Sequence, residues 1–280
     1  MDLSRTLSTN KQPLVSAIIP THNRSDLLKR AINSVREQTW ENMEIVVVDD
    51  ASKDDTPDLL RELSAEDAIT LVRNESPKGA AASRNIAIKH AKGEFVAGLD
   101  DDDFWRPRRI ELMMDAFEEG YSAVCSNDRM VFDNREIVWK KKPLITLNDL
   151  LFYNQVGNQV LTKKAYLTEV GGYDESLSSA QDYDLWIRLV HDFGPIKTVP
   201  HTLQVVNMES ERERISTSGD ETSGYYACFE KHQSKMNEVQ KKYQLYRIKL
   251  AEGEKAGWLE MFRSVPGELL IKEITRKLFL

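Results

Sequence analysis

The 280-residue sequence holds only two cysteines, Cys125 and Cys228, with no metal-ligand spacing between them. Both read as reduced thiols of a cytoplasmic protein, which argues against a disulfide scaffold. No apolar run approaches the ~20 residues of a bilayer-spanning helix. The opening Met1-Asp2-Leu3-Ser4-Arg5 lacks the apolar core of a signal peptide. A soluble protein is expected. Positive charge is not in excess either: 38 basic residues face 45 acidic ones, for a net charge of −7 and a pI near 5.4. That balance argues against nucleic acid as a partner. There is no internal repeat and no low-complexity tract.

What is present is an ordinary globular composition, 41% hydrophobic and 30% charged. The length suits one large domain, or one domain with a helical appendage. The charge is unevenly spread. Residues 231–280 carry 11 Lys/Arg against 6 Glu, a balance of +5, which leaves −12 on residues 1–230.

After a polar start that predicts a flexible N-terminus over 1–12, strands and helices alternate. Val15-Ser16-Ala17-Ile18-Ile19-Pro20 reads as a strand, and residues 24–38 as an amphipathic helix with Leu27, Leu28, Ile32 and Val35 on one face. Residues 43–50 form a β-branched strand ending in Asp49-Asp50. Thr56-Pro57 opens a helix. Residues 68–72 are a short third strand, 79–92 a helix and 94–99 a fourth strand. Continuous apolar strands separated by helices imply a mostly parallel sheet covered on both faces. Ligands of such sheets sit beyond the carboxyl ends of the strands. Polar clusters fall at several of those ends.

The strongest cluster is Asp100-Asp101-Asp102-Asp103, directly after Phe95-Val96-Ala97-Gly98-Leu99. Four adjacent carboxylates repel one another and require neutralisation. A solvated acidic loop is one answer. A divalent cation gripped by hard oxygen ligands is the other. Alternate residues of an extended chain point the same way, so two of these carboxylates, two positions apart, could approach one ion together.

The second half is less regular. Strands are expected over 121–126 and 129–140, the latter with a turn at Asp133-Asn134. Short helices are expected over 147–152 and 163–170, with an extended run at 158–162 between them. A helix over 182–191 precedes an extended run over 195–206, and the chain is helical from about 221, with breaks near Gly253 and Pro266.

Taken together, Ile18-Ile19-Pro20-Thr21-His22-Asn23-Arg24, Val46-Val47-Val48-Asp49-Asp50, Asn85, and the run ending in Asp100-Asp101-Asp102-Asp103 resemble a family 2 glycosyltransferase. The likeness is to the bacterial cell-surface polysaccharide type, and it covers roughly residues 13–206. It implies the GT-A fold: α/β, Rossmann-like, a mostly parallel central sheet flanked by helices, here with a C-terminal helical extension. The implied division is a nucleotide-sugar-binding half at 13–103, an acceptor-binding and catalytic half at 104–220, and the extension at 221–280.

The resemblance also implies roles. Asp50 would accept a hydrogen bond from the uracil ring, against the alternative of a local turn or helix cap. Pro20, Thr21 and Asn23 would lie at the nucleotide, with Pro20 fixing the turn and no chemistry given to His22. Arg84 would lie near the nucleotide, against the alternative of a surface salt bridge; Lys78 reads as a solvated lysine. Asp100 and Asp101 would lie on the donor side, and Asp102 with Asp100 would hold Mn²⁺ or Mg²⁺. Asp103 is the carboxylate expected to tolerate neutralisation best.

Gly171-Gly172-Tyr173-Asp174-Glu175 and Gln181-Asp182-Tyr183-Asp184-Leu185-Trp186 resemble the family's acceptor loop and the helix with its catalytic acid. The family usually has Glu-Asp where this chain has Gln181-Asp182. Loss of the neighbouring charge is expected to lower the pKa of Asp182. Asp182 is the expected base, a helix N-cap role being compatible with it. Asp184 is set aside because it sits about 200° round the helix. Trp186 is expected in the core, while Trp105 stays open between core and sugar stacking. Arg212 or Arg214, in a loop at 209–216, would offer phosphate contacts.

The expected reaction is inverting, metal-dependent transfer from a nucleotide-sugar, with UDP-sugar the expected donor, to a glycan or lipid-linked acceptor. The alternatives are a degenerate binding module without turnover and a sugar nucleotidyltransferase. The latter would want a Gly-rich phosphate loop where Pro20-Thr21-His22-Asn23 stands. Leu270, Ile271, Ile274 and Leu278 share one helical face near Trp258, Met261 and Phe262. That face is open to three partners: an anionic membrane surface, the protein body or another subunit.

Overall fold

The computed structural model describes residues 12–65, 69–208 and 221–279. The expectations for the first eleven residues, for Ala68 and for the loop with Arg212 and Arg214 lie outside them. The chain order is β1 (Val15–Thr21), α1 (Ser25–Arg36), β2 (Met43–Asp49), α2 (Thr56–Ala65), β3 (Thr70–Arg73), α3 (Ala80–His90), β4 (Phe95–Gly98), β5 (Phe104–Trp105) and α4 (Arg109–Asp115). Then follow β6 (Ala123–Phe132), β7 (Arg135–Trp139), β8 (Leu144–Ile145), α5 (Leu147–Leu150), β9 (Leu161–Lys163), α6 (Lys164–Glu169), α7 (Gln181–Phe193) and β10 (Ile196–Asn207). The last helices are α8 (Glu221–His232), α9 (Glu238–Ala251), α10 (Trp258–Ser264) and α11 (Gly267–Phe279).

One sheet runs in the order β3-β2-β1-β4-β9-β6-β10-β5. The β-branched strands β1 and β2, buried on both faces, lie at its parallel heart: β1 pairs in parallel with β2 and β4, and β3 with β2. This is the α/β class expected from the apolar runs, with antiparallel insertions. β9 runs against both β4 and β6, and β7 folds back on β6 as a hairpin about residues 133–134. β6 and β10 pair in parallel, with two register shifts between Val199 and Gln204. Such bulges re-aim side chains near functional clefts.

Helices α1, α2 and α4 cover one sheet face, around Leu28, Ile32, Leu60 and Ile110; α3 and α7 cover the other, around Ile88, Leu185 and Ile187. Asn85 on α3 fastens the two halves together. Its carbonyl accepts from the Tyr173 N–H at 2.8 Å, and its amide donates to the Tyr173 carbonyl at 2.9 Å. Gly172, at φ +71°, makes room for it, since a Cβ there would lie 2.5 Å from Asn85 Oδ1.

The C-terminal helices pack on the body. Gln240 donates to Asn148, and Gln244 to the Leu151 carbonyl and the Tyr183 hydroxyl. Tyr243, Tyr246, Met261 and Val265 form a small core against Phe152 and Tyr153. Leu270 and Ile274 turn towards this core, whereas Ile271 is 79% exposed. The single apolar face expected for α11 is therefore divided, because α9 takes up only the positions turned inward; the Leu278 side chain lies outside the description. Among the described residues no helix is long and apolar enough to cross a membrane. Cys125 and Cys228 are buried and unpaired.

Candidate active site

The carboxyl ends of β1, β4, β6 and β10 open onto a cleft of about 390 Å³ whose lining includes Pro20, Arg24, Arg84, the four aspartates from Asp100 to Asp103, and Asp182. Thr21, Asn23 and Asp50 stand behind this lining. The acidic run is not extended. The Asp103 N–H donates to the Asp100 carbonyl at 3.1 Å, closing a turn, so the argument from alternating strand positions does not apply. Alternation survives in burial: the Asp100 and Asp102 side chains are 23% and 18% exposed, while Asp101 and Asp103 are at 1% as residues.

The four carboxylates are compensated by groups from several parts of the chain, some of them shared. Arg84 donates to Asp100 at 2.7 Å, and Asn158 reaches its other oxygen at 2.7 Å. Arg24 donates to Asp101 at 2.9 Å and Asp102 at 3.1 Å, and the Thr21 hydroxyl to Asp101 at 2.8 Å. Asp103 accepts from Asn158, Gln204 and the Asn207 N–H, the last at 2.9 Å. Burial pushes Asp101 up to about 6 against the pull of Arg24. Burial, with Asp100 and Asp102 nearby, raises Asp103 well above the usual carboxylate range. The geometry speaks against the expectation that Asp103 tolerates neutralisation best, because three donors, one of them the buried Gln204, converge on it.

Asp50 is neither a helix cap nor the turn residue of its own loop. Its carboxylate accepts from Asn74 Nδ2, the Lys78 N–H and the Gly79 N–H at 2.7 to 2.8 Å, fixing the approach to α3. Asp49 makes the local turn, accepting from the Ser52 N–H. Asn23, at φ +54°, ties the β1 loop to the β2 loop: its N–H donates to Ser52 and its side chain accepts from the Lys53 N–H. His22 donates to the Asp50 carbonyl and accepts from Asn23, a satisfied loop histidine. Lys78 itself is exposed.

Arg84 is no surface ion pair. Burial opposes its charge, but Asp100 and Asp182 hold its pKa above the usual guanidinium value. It stands 3.9 Å from Asp182 and over the Tyr173 ring. Asp182 lies in the first turn of α7, after Ala180 at φ +58°. Ala180 is the N-cap, so Asp182 does not cap the helix. Asp182 Oδ1 is buried with no hydrogen-bond partner among the described residues. Burial raises its pKa to about 7, with Asp100 adding and Arg84 opposing. The lowering expected from Gln181 is relative to a glutamate neighbour; against the ordinary carboxyl value, desolvation sets the direction and it is upward. Gln181 instead donates to the Leu177 carbonyl.

Asp184 points away, into the contact with α8. Burial works against its charge, yet hydrogen bonds from His232, Arg188 and Lys231 hold it well below the usual range. Trp186 is buried, and so is Trp105, which removes it as a stacking platform.

Arg24, Arg109, Asn158, Gln204 and Asn207 were not singled out in the sequence. Arg24 carried a signal: it closes the first motif, and four carboxylates demand cations. Arg109 carried none. Burial lowers its pKa to about 10, and it donates to Ser126.

Among the described residues no group of three or more His, Cys, Asp or Glu side chains is arranged to hold a metal. The donor set nevertheless fits Mg²⁺ or Mn²⁺ bound with a diphosphate. Such an ion takes one or two carboxylates and completes its shell with phosphate oxygens and water. Asp100 and Asp102 are the two more exposed carboxylates of the acidic turn.

A family profile, "Glycosyl transferase family 2", matches residues 16–173. The chain belongs to glycosyl transferase family 2. It is 33% identical over 258 residues to WcaA of Escherichia coli K12, named as a colanic acid biosynthesis glycosyl transferase, covering 88% of this chain and 91% of that protein. It is 34% identical over 181 residues to WfgD of Escherichia coli, a UDP-Glc:alpha-D-GlcNAc-diphosphoundecaprenol beta-1,3-glucosyltransferase, covering 64% of this chain and 70% of that one. The crystal structure of S. aureus TarS 1–349 with UDP-GlcNAc superimposes with a TM-score of 0.65 at 21% identity, over 84% of this chain and 71% of TarS. That likeness is one of fold. The protein is a glycosyltransferase.

Two outcomes are expected from this geometry. Asp103→Ala should lower stability by about 2 kcal/mol or more, read by urea denaturation, because it strands buried donors, while Asp102→Ala should cost less than about half of that. Asp182→Asn should be more stable than the parent at pH 8, by on the order of 2 kcal/mol. The raised carboxyl is at no disadvantage below pH 4, where folded and unfolded forms are both protonated. Its burial costs stability progressively as pH rises from about 4, where the unfolded carboxyl ionises, to about 7, and the cost is constant above that. Melts from pH 4 to 8 should show the two proteins diverging upwards, and parallel curves would refute the assignment.

Proposed function

We propose that this glycosyltransferase is inverting and metal-dependent, and that it transfers a sugar from a UDP-sugar to a hydroxyl of a glycan or lipid-linked acceptor. We place the reaction in cell-surface polysaccharide synthesis at the cytoplasmic side. The observation that carries the reading is Asp182, a half-buried carboxylate whose buried Oδ1 has no hydrogen-bond partner among the described residues, in one cleft with Arg84, Arg24 and Asp100. A carboxylate held near pH 7 is matched to taking a proton from a hydroxyl. The relative named for a UDP-Glc donor and a diphosphoundecaprenol acceptor supports the choice of substrates.

In this reading Asp182 accepts the acceptor's hydroxyl proton as that oxygen attacks the anomeric carbon. The bond to the diphosphate breaks on the opposite face, so one displacement inverts the centre. Asp50 takes the uracil N–H; a carboxylate has about four lone-pair sites, and three are used here. Pro20, Thr21 and Asn23 shape the nucleotide's loop, and Arg24 and Arg84 face the diphosphate. Asp102 and Asp100 would hold Mn²⁺ or Mg²⁺, which would supply Lewis-acid stabilisation of the diphosphate leaving group.

The reading is tested by a thermal-shift screen of UDP-sugars with and without Mn²⁺, since a ligand of the folded state raises the melting point. Asp182→Asn should reduce donor turnover by about 10²- to 10⁴-fold while UDP affinity stays within about twofold. EDTA should abolish turnover. Metal-independent donor binding with turnover indifferent to both treatments would sink the mechanism.

The reading extends to the membrane surface. Trp258, Leu259 and Phe262 remain exposed on α10, beside the exposed Lys255 and Arg263, which suits an anionic bilayer and a lipid-linked acceptor. The protein should sediment with phosphatidylglycerol vesicles and not with phosphatidylcholine ones, and Phe262→Ser should weaken that. Equal sedimentation with both would remove this part.

A further inference from the structure

A second buried carboxylate in the cleft has no role in the chemistry above. Asp128 on β6 is 2% exposed, and its Oδ2 is held by Lys141 Nζ at 2.7 Å. Its Oδ1 is buried with no hydrogen-bond partner among the described residues. An unmet acceptor of this kind costs about 1–3 kcal/mol, so it marks a place where a ligand completes the bonding. The surroundings say which ligand. Asp128 stands directly opposite Trp139 in the β6–β7 pairing, and Met130 is two residues further along β6. Opposed residues, and residues two apart, share a sheet face, and all three line the cleft. One hydrogen-bond acceptor beside an aromatic and a thioether matches a pyranose, which offers hydroxyl donors on its edge and C–H groups on its face. The ammonium of Lys141 disfavours a metal ion there.

The position beside the acidic turn selects between sugars. Gly157 touches the Asp128 pair: a Cβ on it would lie 3.2 Å from Asp128 Oδ2 and 3.5 Å from Lys141 Nζ. Its neighbour Asn158 donates to Asp100. Consecutive Cα atoms are about 3.8 Å apart, so the Asp128 pocket adjoins the carboxylate turn that would face the donor diphosphate. The group bonded to that diphosphate is the sugar to be transferred.

We propose that Asp128, Trp139 and Met130 form the pocket for the donor's pyranose ring, with Asp128 Oδ1 accepting a hydrogen bond from a ring hydroxyl. Lys141 positions the carboxylate. This rests on the UDP-sugar reading above and adds the residues that choose the sugar.

The test compares affinities for UDP, UDP-glucose, UDP-galactose and UDP-N-acetylglucosamine by calorimetry in the presence of Mn²⁺. The parent should bind one UDP-sugar better than the others. Asp128→Asn should weaken that sugar by about tenfold or more while UDP stays within about twofold. Because that change leaves Lys141 buried without its partner, Trp139→Ala, at a half-buried position, gives a second reading in the same direction. Trp139→Phe should restore most of the loss. Equal weakening of UDP and UDP-sugar, an unaffected UDP-sugar, or a parent that binds all UDP-sugars alike would overturn the pocket and leave the donor reading standing. A parent that binds no UDP compound would overturn both.

Discussion

The concentration of four carboxylates at the end of one strand is the constraint around which the rest is arranged. Left alone they would push the end of β4 out of the sheet. Arg24 comes from the loop after β1, Arg84 from α3, Asn158 from the approach to β9, and Gln204 and Asn207 from β10. Segments far apart in sequence therefore meet at one place because a common electrostatic demand draws them there. Buried ion pairs of this kind add little net stability once desolvation is counted. Their effect is on geometry, since removing any partner leaves a buried charge unanswered.

The parallel part of the fold was legible because its signals are local. β1 and β2 are uninterrupted β-branched runs, and helices buried on one side separate them. The antiparallel insertions were harder to see. β5 and β8 have two residues each, and β9 has three, too few for any periodicity to register. Within the site, residue identity pointed to Asp182, Asp100 and Asp102 as acids of the cleft. What it missed depends on three-dimensional approach. The turn at Asp100–Asp103 replaced an extended chain, Asp103 proved a buried hub, and Arg109 and Asp128 are each buried with nothing in their neighbours to announce it.

Asp182 shows how environment can outweigh sequence neighbours. Replacing the usual glutamate by Gln181 removes one charge, a small effect through solvent, whereas burial acts on the carboxylate itself. The backbone around it is also unusual. Asn23, Ala51 and Ala180 are the non-glycine residues at positive φ among those described. Asn23 and Ala51 lie in the loops after β1 and β2, and Ala180 immediately precedes α7. Such conformations cost on the order of 1–3 kcal/mol each and persist where surrounding structure over-determines them. Their clustering beside the cleft fits a site shaped at some expense to stability.

The hydroxyl of Tyr183 has a further meaning for what counts as one working unit of this chain. Tyr183 is the immediate neighbour of Asp182, and it is gripped from both sides: it donates to the Leu150 carbonyl and accepts from Gln244 on α9. The stretch matched by the family profile ends at residue 173, before the acid helix begins and far before the helix that braces it. A boundary drawn by family similarity thus separates the cleft from its own scaffold. The smallest piece that keeps the brace on the helix of Asp182 extends through α9, and on the way α8 lends Tyr225 to the lining of the cleft.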